Sequence, residues 1–240
     1  MQRYFVTIND GFASFSKEDS HHFLNVMRGK KGDIIEVINE GKVYKAIIEC
    51  VDPLQAKIVS EIEEERENPF KLILAFSLLK KGNDELVMQK CTELGAYSFI
   101  PFVSSRTIIR VDESDKKKKN ERFSKIIKEA AMQSKRAMIP AISSILSFGE
   151  LLNVEADIKL IAYEDEALNG KHLSEHIKNM DESKTCLVIV GPEGGFSKEE
   201  VDKAIACGFK PISLGKRILR AETASIYVST IFSMKECGVI

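Results

Sequence analysis

The sequence predicts an α/β fold: a mainly parallel sheet with helices on both faces, preceded by a small β-barrel carrying one helix. Three observations predict it. From Phe70 onward, short apolar runs alternate with helix-like stretches, the pattern of a parallel sheet built from β-α units. The first sixty residues instead read as strands joined by turns, with one helical interruption. Between them the acidic stretch Glu61–Glu67 ends at Asn68-Pro69. This change of composition places the expected domains at residues 1–67 and 70–240. A charged strand end inside a single domain is the other reading of that stretch.

Each element has its own signal. Arg3–Ile8 alternates weakly, as a strand would. Ser16 and Asp19 form a box-like helix start, and Phe23, Leu24 and Met27 supply apolar positions up to Gly29. Asp33–Ile38 and Lys42–Cys50 are rich in Val and Ile and flank the hairpin turn Asn39-Glu40-Gly41. Lys57–Ile62 follows the Asp52-Pro53 turn as a further strand. In the second part Lys71–Leu79 is a strand, and Asn83–Leu94 is a helix ending at Gly95. Tyr97–Val103 is a strand, and Asp115–Met138 is a long basic helix stopped before Pro140. Strands Ile158–Tyr163, Thr185–Val190 and Phe209–Leu214 then alternate with helices Leu173–Met180, Ser197–Cys207 and Ala221–Cys237.

Composition narrows the classes. The chain is 44% hydrophobic and 30% charged, a folded chain and not a disordered one. Its apolar runs, such as Cys186–Val190, are too short to span a bilayer, and Met1–Val6 lacks the apolar stretch of a signal peptide, so a cytoplasmic place with no membrane partner is expected. The five cysteines are odd in number and none are paired as C-x-x-C, so neither a disulfide framework nor a metal site is expected. His172 and His176 would share a helix face, but without an intervening H-E-x-x-H glutamate they read as surface histidines. The net charge of −1 hides an uneven distribution: residues 71–136 hold 15 Lys and Arg against 8 Asp and Glu. Local charge is what a polyanion meets.

Two glycine-marked loops carry the chemistry. Val188–Val190 leads into Gly191-Pro192-Glu193-Gly194-Gly195-Phe196-Ser197, and Ile212–Leu214 leads into Gly215-Lys216-Arg217-Ile218-Leu219-Arg220-Ala221-Glu222-Thr223. Both sit outside the carboxyl ends of strands, where open α/β sheets keep ligands. The first is neither G-x-G-x-x-G nor a P-loop; by itself it is equally a tight strand-to-helix turn. The second sets apolar side chains and bare backbone together, as a slot for an adenine ring requires. Arg220 and Glu222 at the helix start could equally form a surface salt bridge. Among the basic residues, Lys116–Lys119 reads as a solvated face, whereas Gln133 and Arg136 are placed for specific contacts.

These residues resemble the RsmE-type 16S ribosomal RNA uracil-N3 methyltransferases of the SPOUT superfamily. Gly191–Ser197 followed by Leu214–Ala224 matches their paired signature. His21-His22 with Val26-Met27-Arg28 and Gly32-Asp33 resembles the N-terminal motif. Gln89–Gly95 with Ile100-Pro101 and Arg106, then Glu129–Ala131 with Gln133-Ser134, Arg136 and Pro140, resemble the middle ones. The likeness covers nearly the whole chain. It implies a PUA-like RNA-binding barrel, a SPOUT domain with a trefoil knot, S-adenosylmethionine as cofactor and a homodimer acting on 16S ribosomal RNA or the small ribosomal subunit. By motif position Gly191, Glu193, Gly195, Leu214, Gly215, Ile218 and Leu219 would hold the cofactor, with Tyr163 or Glu164 completing the pocket. One departure is Ala221, where the family is expected to have threonine.

The implied reaction moves a methyl group from a sulfonium to N3 of a uridine. N3 carries a proton at neutral pH, so the base must be deprotonated and the charge on O2 and O4 stabilised. Arg220 is the first candidate for that role and Arg106 the second; Glu222 or Glu193 could take the proton, as could water. N3 lies on the pairing edge, so the target base must be unpaired or splayed out. Arg3, Arg28, Lys30, Lys90, Gln133 and Arg136 are the RNA-binding candidates. Two other classes compete: a different nucleotide-binding enzyme using the loops for phosphate, and a non-catalytic RNA-binding or ribosome-assembly protein with a vestigial pocket.

Overall fold

The computed structural model describes residues 2–166 and 170–240. They form two compact units. One runs to Glu67 and includes Ala131–Ile139; the other comprises Asn68–Ala130 and Pro140–Ile240. The break after Glu67 coincides with the acidic stretch, but the return of Ala131–Ile139 is a feature that a division into 1–67 and 70–240 does not contain.

In the first unit, strands β1 (Arg3–Phe5), β2 (Thr7–Asn9) and β3 (Phe12–Ser14) precede helix α1 (Lys17–His21); β4 (Ile34–Asn39), β5 (Lys42–Val51) and β6 (Leu54–Ile62) follow it. The expected single strand Arg3–Ile8 is thus divided, and a third strand follows a turn at Asp10-Gly11, both with positive φ. The six strands are ordered β1-β4-β5-β6-β3-β2, a curled half-barrel. Register shifts in the β5–β6 pair, at Lys45/Ala46 and Ile48/Cys50, help it bend. Glu40 and Gly41 both have positive φ, as a two-residue hairpin between β4 and β5 demands. Ser16 caps α1 through Asp19 N, and a π-helical turn, His22–Val26, extends it. The chain leaves at Gly29, where any Cβ would run into the Phe23 ring. Tyr4, Phe23, Val37, Ala46 and Ile48 form the core, with Met132 among them.

The acidic stretch is pinned by ion pairs. Arg3, only 1% exposed, pairs with Glu36 at 2.9 Å and Glu64 at 2.6 Å and donates to the Lys135 carbonyl. Glu67 takes Arg136, 4% exposed, at 2.6 Å and accepts from the N–H groups of Ala137 and Met138. Arg3 and Arg136, expected to face RNA, are therefore corrected: their guanidinium groups are buried against carboxylates inside the unit. Charge counting along the chain could not show this, because the partners lie far apart in sequence.

The second unit begins with β7 (Lys71–Ser77), α2 (Asn83–Glu93) and β8 (Ser98–Val103). Then come α3 (Glu113–Gln133), β9 (Ala141–Ile142), β10 (Leu146–Ser147), α4 (Phe148–Leu151) and β11 (Ile158–Ala162). α5 (Leu173–Ile177), β12 (Thr185–Val190), α6 (Lys198–Ala206), β13 (Lys210–Ile212) and α7 (Ala221–Glu236) complete it. α3 stops earlier than the expected Met138, because Lys135 takes a left-handed φ of 64°. β9, β10 and α4 were too short to stand out from the sequence.

All pairings in the second sheet are parallel, in the order β10-β8-β7-β12-β11-β13 with β9 beside β8. One core, on α2, α3, α5 and α7, includes Leu74, Phe76, Val188, Val228 and Phe232; the other, on α4 and α6, includes Ala75, Ile161, Leu187, Ile189 and Val201. Alternate residues of β7 and β12 thus face opposite layers, as a sheet covered on both faces requires. After β13 the chain is gripped by both ends of the segment that follows β11. Tyr163 N donates to Ile212 O, Ser213 N to Lys171 O and Leu173 N to Ser213 O. α7 then returns to pack against α2, β7 and β12.

Removing the Arg3 side chain takes the buried partner from two carboxylates, leaving Glu36 only Lys135 and Glu64 only Arg66. Arg3→Ala is expected to lower stability by about 3 kcal/mol, measured by urea unfolding followed by circular dichroism. Burial alone would push the Glu36 and Glu64 carboxyls up, but hydrogen bonds from Lys135 and Arg3, and from Arg3 and Arg66, hold both below the usual range. Their contribution is therefore complete above the ordinary carboxylate value and lost as pH falls through the lowered one. Acid should narrow the gap between Arg3→Ala and the parent protein.

Candidate functional site

The carboxyl ends of β11, β12 and β13 are adjacent in the sheet, and the loops leaving them surround a half-open cleft. From β11 come Ala162, Tyr163 and Glu164; from β12, Gly191, Pro192, Gly195 and Phe196; from β13, Leu214, Gly215 and Arg217–Leu219. Ala221 and Ala224 of α7 close the back. The alanines are signalled weakly in sequence, since their role is to be small.

The first loop is shaped by glycine. Gly195 has a φ of +65°, and a Cβ there would stand 3.1 Å from the Glu164 carboxylate. Gly191 faces the buried Phe196 ring, 2.9 Å from where a Cβ would be. The next helix is fixed by a capping box: Ser197 Oγ accepts from Glu200 N, and Ser197 N donates to the Glu200 carboxylate. In the second loop Gly215 has a φ of +104°, and its N–H donates to Ser213 Oγ. Leu219 packs into the core, while Ile218 stands 80% exposed on the rim. Tyr163 donates to Asp165 at 2.6 Å; that bond, with burial, pushes its phenol up to about 12.

Tyr163, Glu164, Gly191, Gly195, Leu214, Gly215, Ile218 and Leu219 therefore meet in one cleft. Glu193 does not line it, a correction with a simple cause. The turn closed by Gly195 N on Pro192 O faces it away, and its Oε1 accepts from Lys80 N at 3.0 Å. Arg106 is tied to the same loop, donating from Nη1 to the carbonyls of Gly194 and Phe196 at 3.0 and 3.1 Å. Arg220 is the exposed N-cap residue of α7. It makes no ion pair with Glu222, whose Oε2 is buried without a hydrogen-bond partner among the described residues.

Of the remaining candidates, Arg28, Lys30 and Gln133 are exposed, and Lys90 is held by Glu93 at 3.0 Å. His172 is no free metal ligand: Nδ1 accepts from Ser174 N, capping α5, and Nε2 lies 3.1 Å from the Tyr227 hydroxyl. Ser174 N can only donate, so the Nε2 proton must point to Tyr227. Among the described residues no three His, Cys, Asp or Glu side chains are grouped to hold a metal ion, and no helix is long and apolar enough to cross a membrane.

A family model described as an RNA methyltransferase domain matches residues 66–233, and one described as an RNA methyltransferase PUA domain matches residues 15–59. Ribosomal RNA small subunit methyltransferase E of Bacillus subtilis (strain 168) is 36% identical over 97% of this chain and 96% of its own. The protein of the same name in Synechocystis sp. is 35% identical over 85% of this chain and 67% of its own. The crystal structure of that methyltransferase from Neisseria gonorrhoeae, bound to S-adenosyl methionine, superposes with a TM-score of 0.85 at 27% identity and 98% coverage of each chain. The chain belongs to the family of ribosomal RNA small subunit methyltransferases E.

A methyl group at Gly191 must displace the packed Phe196 ring. Gly191→Ala is expected to cost about 1–3 kcal/mol through overpacking, seen as a lower thermal unfolding midpoint.

Proposed function

We propose that this chain, from its place in that family, is an S-adenosylmethionine-dependent methyltransferase acting on N3 of a uridine in small-subunit ribosomal RNA. The observation that carries the proposal is the cleft walled by the two glycine loops and Tyr163-Glu164. Its chemistry fits the cofactor. Leu214, Ile218, Leu219 and Phe196 offer apolar faces for a purine, and the backbone around Gly215 is open at its edge. Gly195 leaves space beside the Glu164 carboxylate, an acceptor suited to ribose hydroxyls. When bound, S-adenosylmethionine supplies an electrophilic methyl carbon on a sulfonium.

The chain's own residues must make the nucleophile and shield it. Arg220, at the start of α7 with no ion-pair partner among the described residues, holds negative charge on the uracil oxygens as N3 loses its proton. Glu222 takes that proton: its Oε2 is a buried acceptor with no donor among the described residues, the state in which a carboxylate oxygen gains most from one. Arg106 braces the first loop through the Gly194 and Phe196 carbonyls. On the first unit, the exposed Arg28 and Lys30 reach for RNA phosphates, as does Gln133 as a neutral donor. The working form is a homodimer in the cytoplasm. The apolar Ile218, 80% exposed on the rim, supports a second copy covering it.

Calorimetric titration with S-adenosylmethionine should show one site per chain. Small subunits lacking the modification should then gain one methyl group, detected by mass spectrometry of RNA fragments. Absence of both results would overturn the proposal. Arg220→Ala should lower kcat by about 10²–10³ while cofactor affinity stays unchanged; full methylation by that variant would remove Arg220 from the reaction.

A further inference from the structure

The cofactor cleft occupies one side of the sheet's carboxyl edge, and the other side carries unassigned positive charge. β8, β7 and β12 are consecutive neighbours, with Phe102 opposite Ser77 and Phe76 opposite Val190 in register. Their carboxyl ends therefore release Ser104–Thr107, Leu78–Gly82 and Gly191–Ser197 side by side. Four sets of contacts tie these loops together. Ser77 Oγ lies 2.7 Å from Thr107 Oγ1. Ser105 N donates to Glu200 Oε1 at 2.8 Å. Arg106 holds the Gly194 and Phe196 carbonyls, and Glu193 accepts from Lys80 N.

The middle loop is a turn of defined shape. Asn83 N closes onto Lys80 O, and Lys81 and Gly82 are consecutive left-handed residues at φ +57° and +77°. Lys80 and Lys81 are both exposed, and neither side chain has an ion-pair partner among the described residues. The nearby acids of α2 are otherwise engaged: Asp84 with Lys119 at 3.0 Å and Glu85 with Arg122 at 2.6 Å. Glu193 has one carboxylate oxygen on the Lys80 N–H. The strand order also reverses here, since β7 leads outward to β8 while β12 lies on the way to β11 and β13. Ligands of open α/β sheets bind at such a switch point.

We infer that Lys80 and Lys81, with Arg106 beside them, form the clamp for RNA phosphates flanking the target nucleotide. Glu193 is a positioning residue that sets the lysine turn against the first glycine loop. This inference rests on the proposed methyltransferase reading and names its acceptor side. The first glycine loop is then the shared wall: cofactor on the side of β11 and β13, RNA on the side of β7 and β8.

The test uses the full-length protein, unmodified small-subunit particles and S-adenosylmethionine. KM for the particle is measured across a potassium chloride series, and cofactor affinity separately by calorimetry. Lys80→Ala with Lys81→Ala should raise the particle KM about tenfold and flatten its salt dependence by roughly 1.5 units of log–log slope, at ~0.7–0.9 per phosphate contact. Cofactor affinity should not change, and Lys80→Arg with Lys81→Arg should restore the slope. Glu193→Ala should raise the particle KM several-fold, again with unchanged cofactor affinity. An unaltered KM and slope in the double alanine variant, with the parent enzyme active, would overturn the clamp alone. A Glu193→Ala effect on cofactor affinity and not on KM would overturn the positioning role. A parent protein that neither binds cofactor nor methylates would instead sink the methyltransferase reading.

Discussion

Three backbone hydrogen bonds hold the second unit in its functional form: Tyr163 N to Ile212 O, Ser213 N to Lys171 O and Leu173 N to Ser213 O. They fasten the chain after β13 between the two ends of the segment that follows β11. Without them β13 would be a three-residue edge strand with little to place the loop beyond it. With them, the loop from Leu214 to Arg220 starts from a fixed point, and α7 starts from a fixed direction. The His172 ring adds a side-chain clasp, since it caps α5 with one nitrogen and faces Tyr227 of α7 with the other. The three backbone bonds bring a late loop against the ends of two earlier strands, which a simple β-α succession would leave apart.

Much of this was legible in the sequence for local reasons. Cys186–Val190 is an unbroken apolar run and lies in β12, one of the two central strands. Ser197 and Glu200 announce their capping box, and Gly95 and Gly208 end their helices at φ +88°. The glycine loops stood out because an open backbone beside a ligand needs missing side chains. The fastening bonds after β13 were not legible, because they join residues some 40–50 positions apart in sequence, with no composition of their own. Ala221 and Ala224 were read as part of the signature but not as walls of the cleft, for a related reason: a wall made of methyl groups resembles any other helix.

Charge was the least legible property. Arg3 and Arg136 looked like polyanion ligands because Glu64 and Glu67 read as linker and Glu36 as part of a strand, not as their partners. A buried guanidinium needs its carboxylates to offset desolvation, so these arginines are architectural. Glu193 was misplaced in the opposite sense, drawn to the cleft by its position between glycines although the turn faces it toward Lys80. In both cases the decisive fact is which partner a side chain reaches, and spacing does not encode that.

On the reading proposed above, the positions of these charges along the sheet order the chemistry. A methyl donor carrying a positive sulfonium and an acceptor carried on a polyanion make opposite demands. The donor side is walled by apolar groups and bare backbone, with Glu164 exposed beside Gly195. The acceptor side presents Lys80, Lys81 and Arg106. Had the lysines lined the cleft, they would have repelled the sulfonium at the distance where Coulomb terms are strongest. Had Glu164 faced the RNA, it would have repelled the phosphates. One loop, Gly191–Ser197, separates the two fields, and both sides are fastened to it: Gly195 beside Glu164 on one, Glu193 and the Gly194 and Phe196 carbonyls on the other. A shift of that loop moves donor wall and acceptor clamp together, so the two reactants stay aligned because the same backbone positions both.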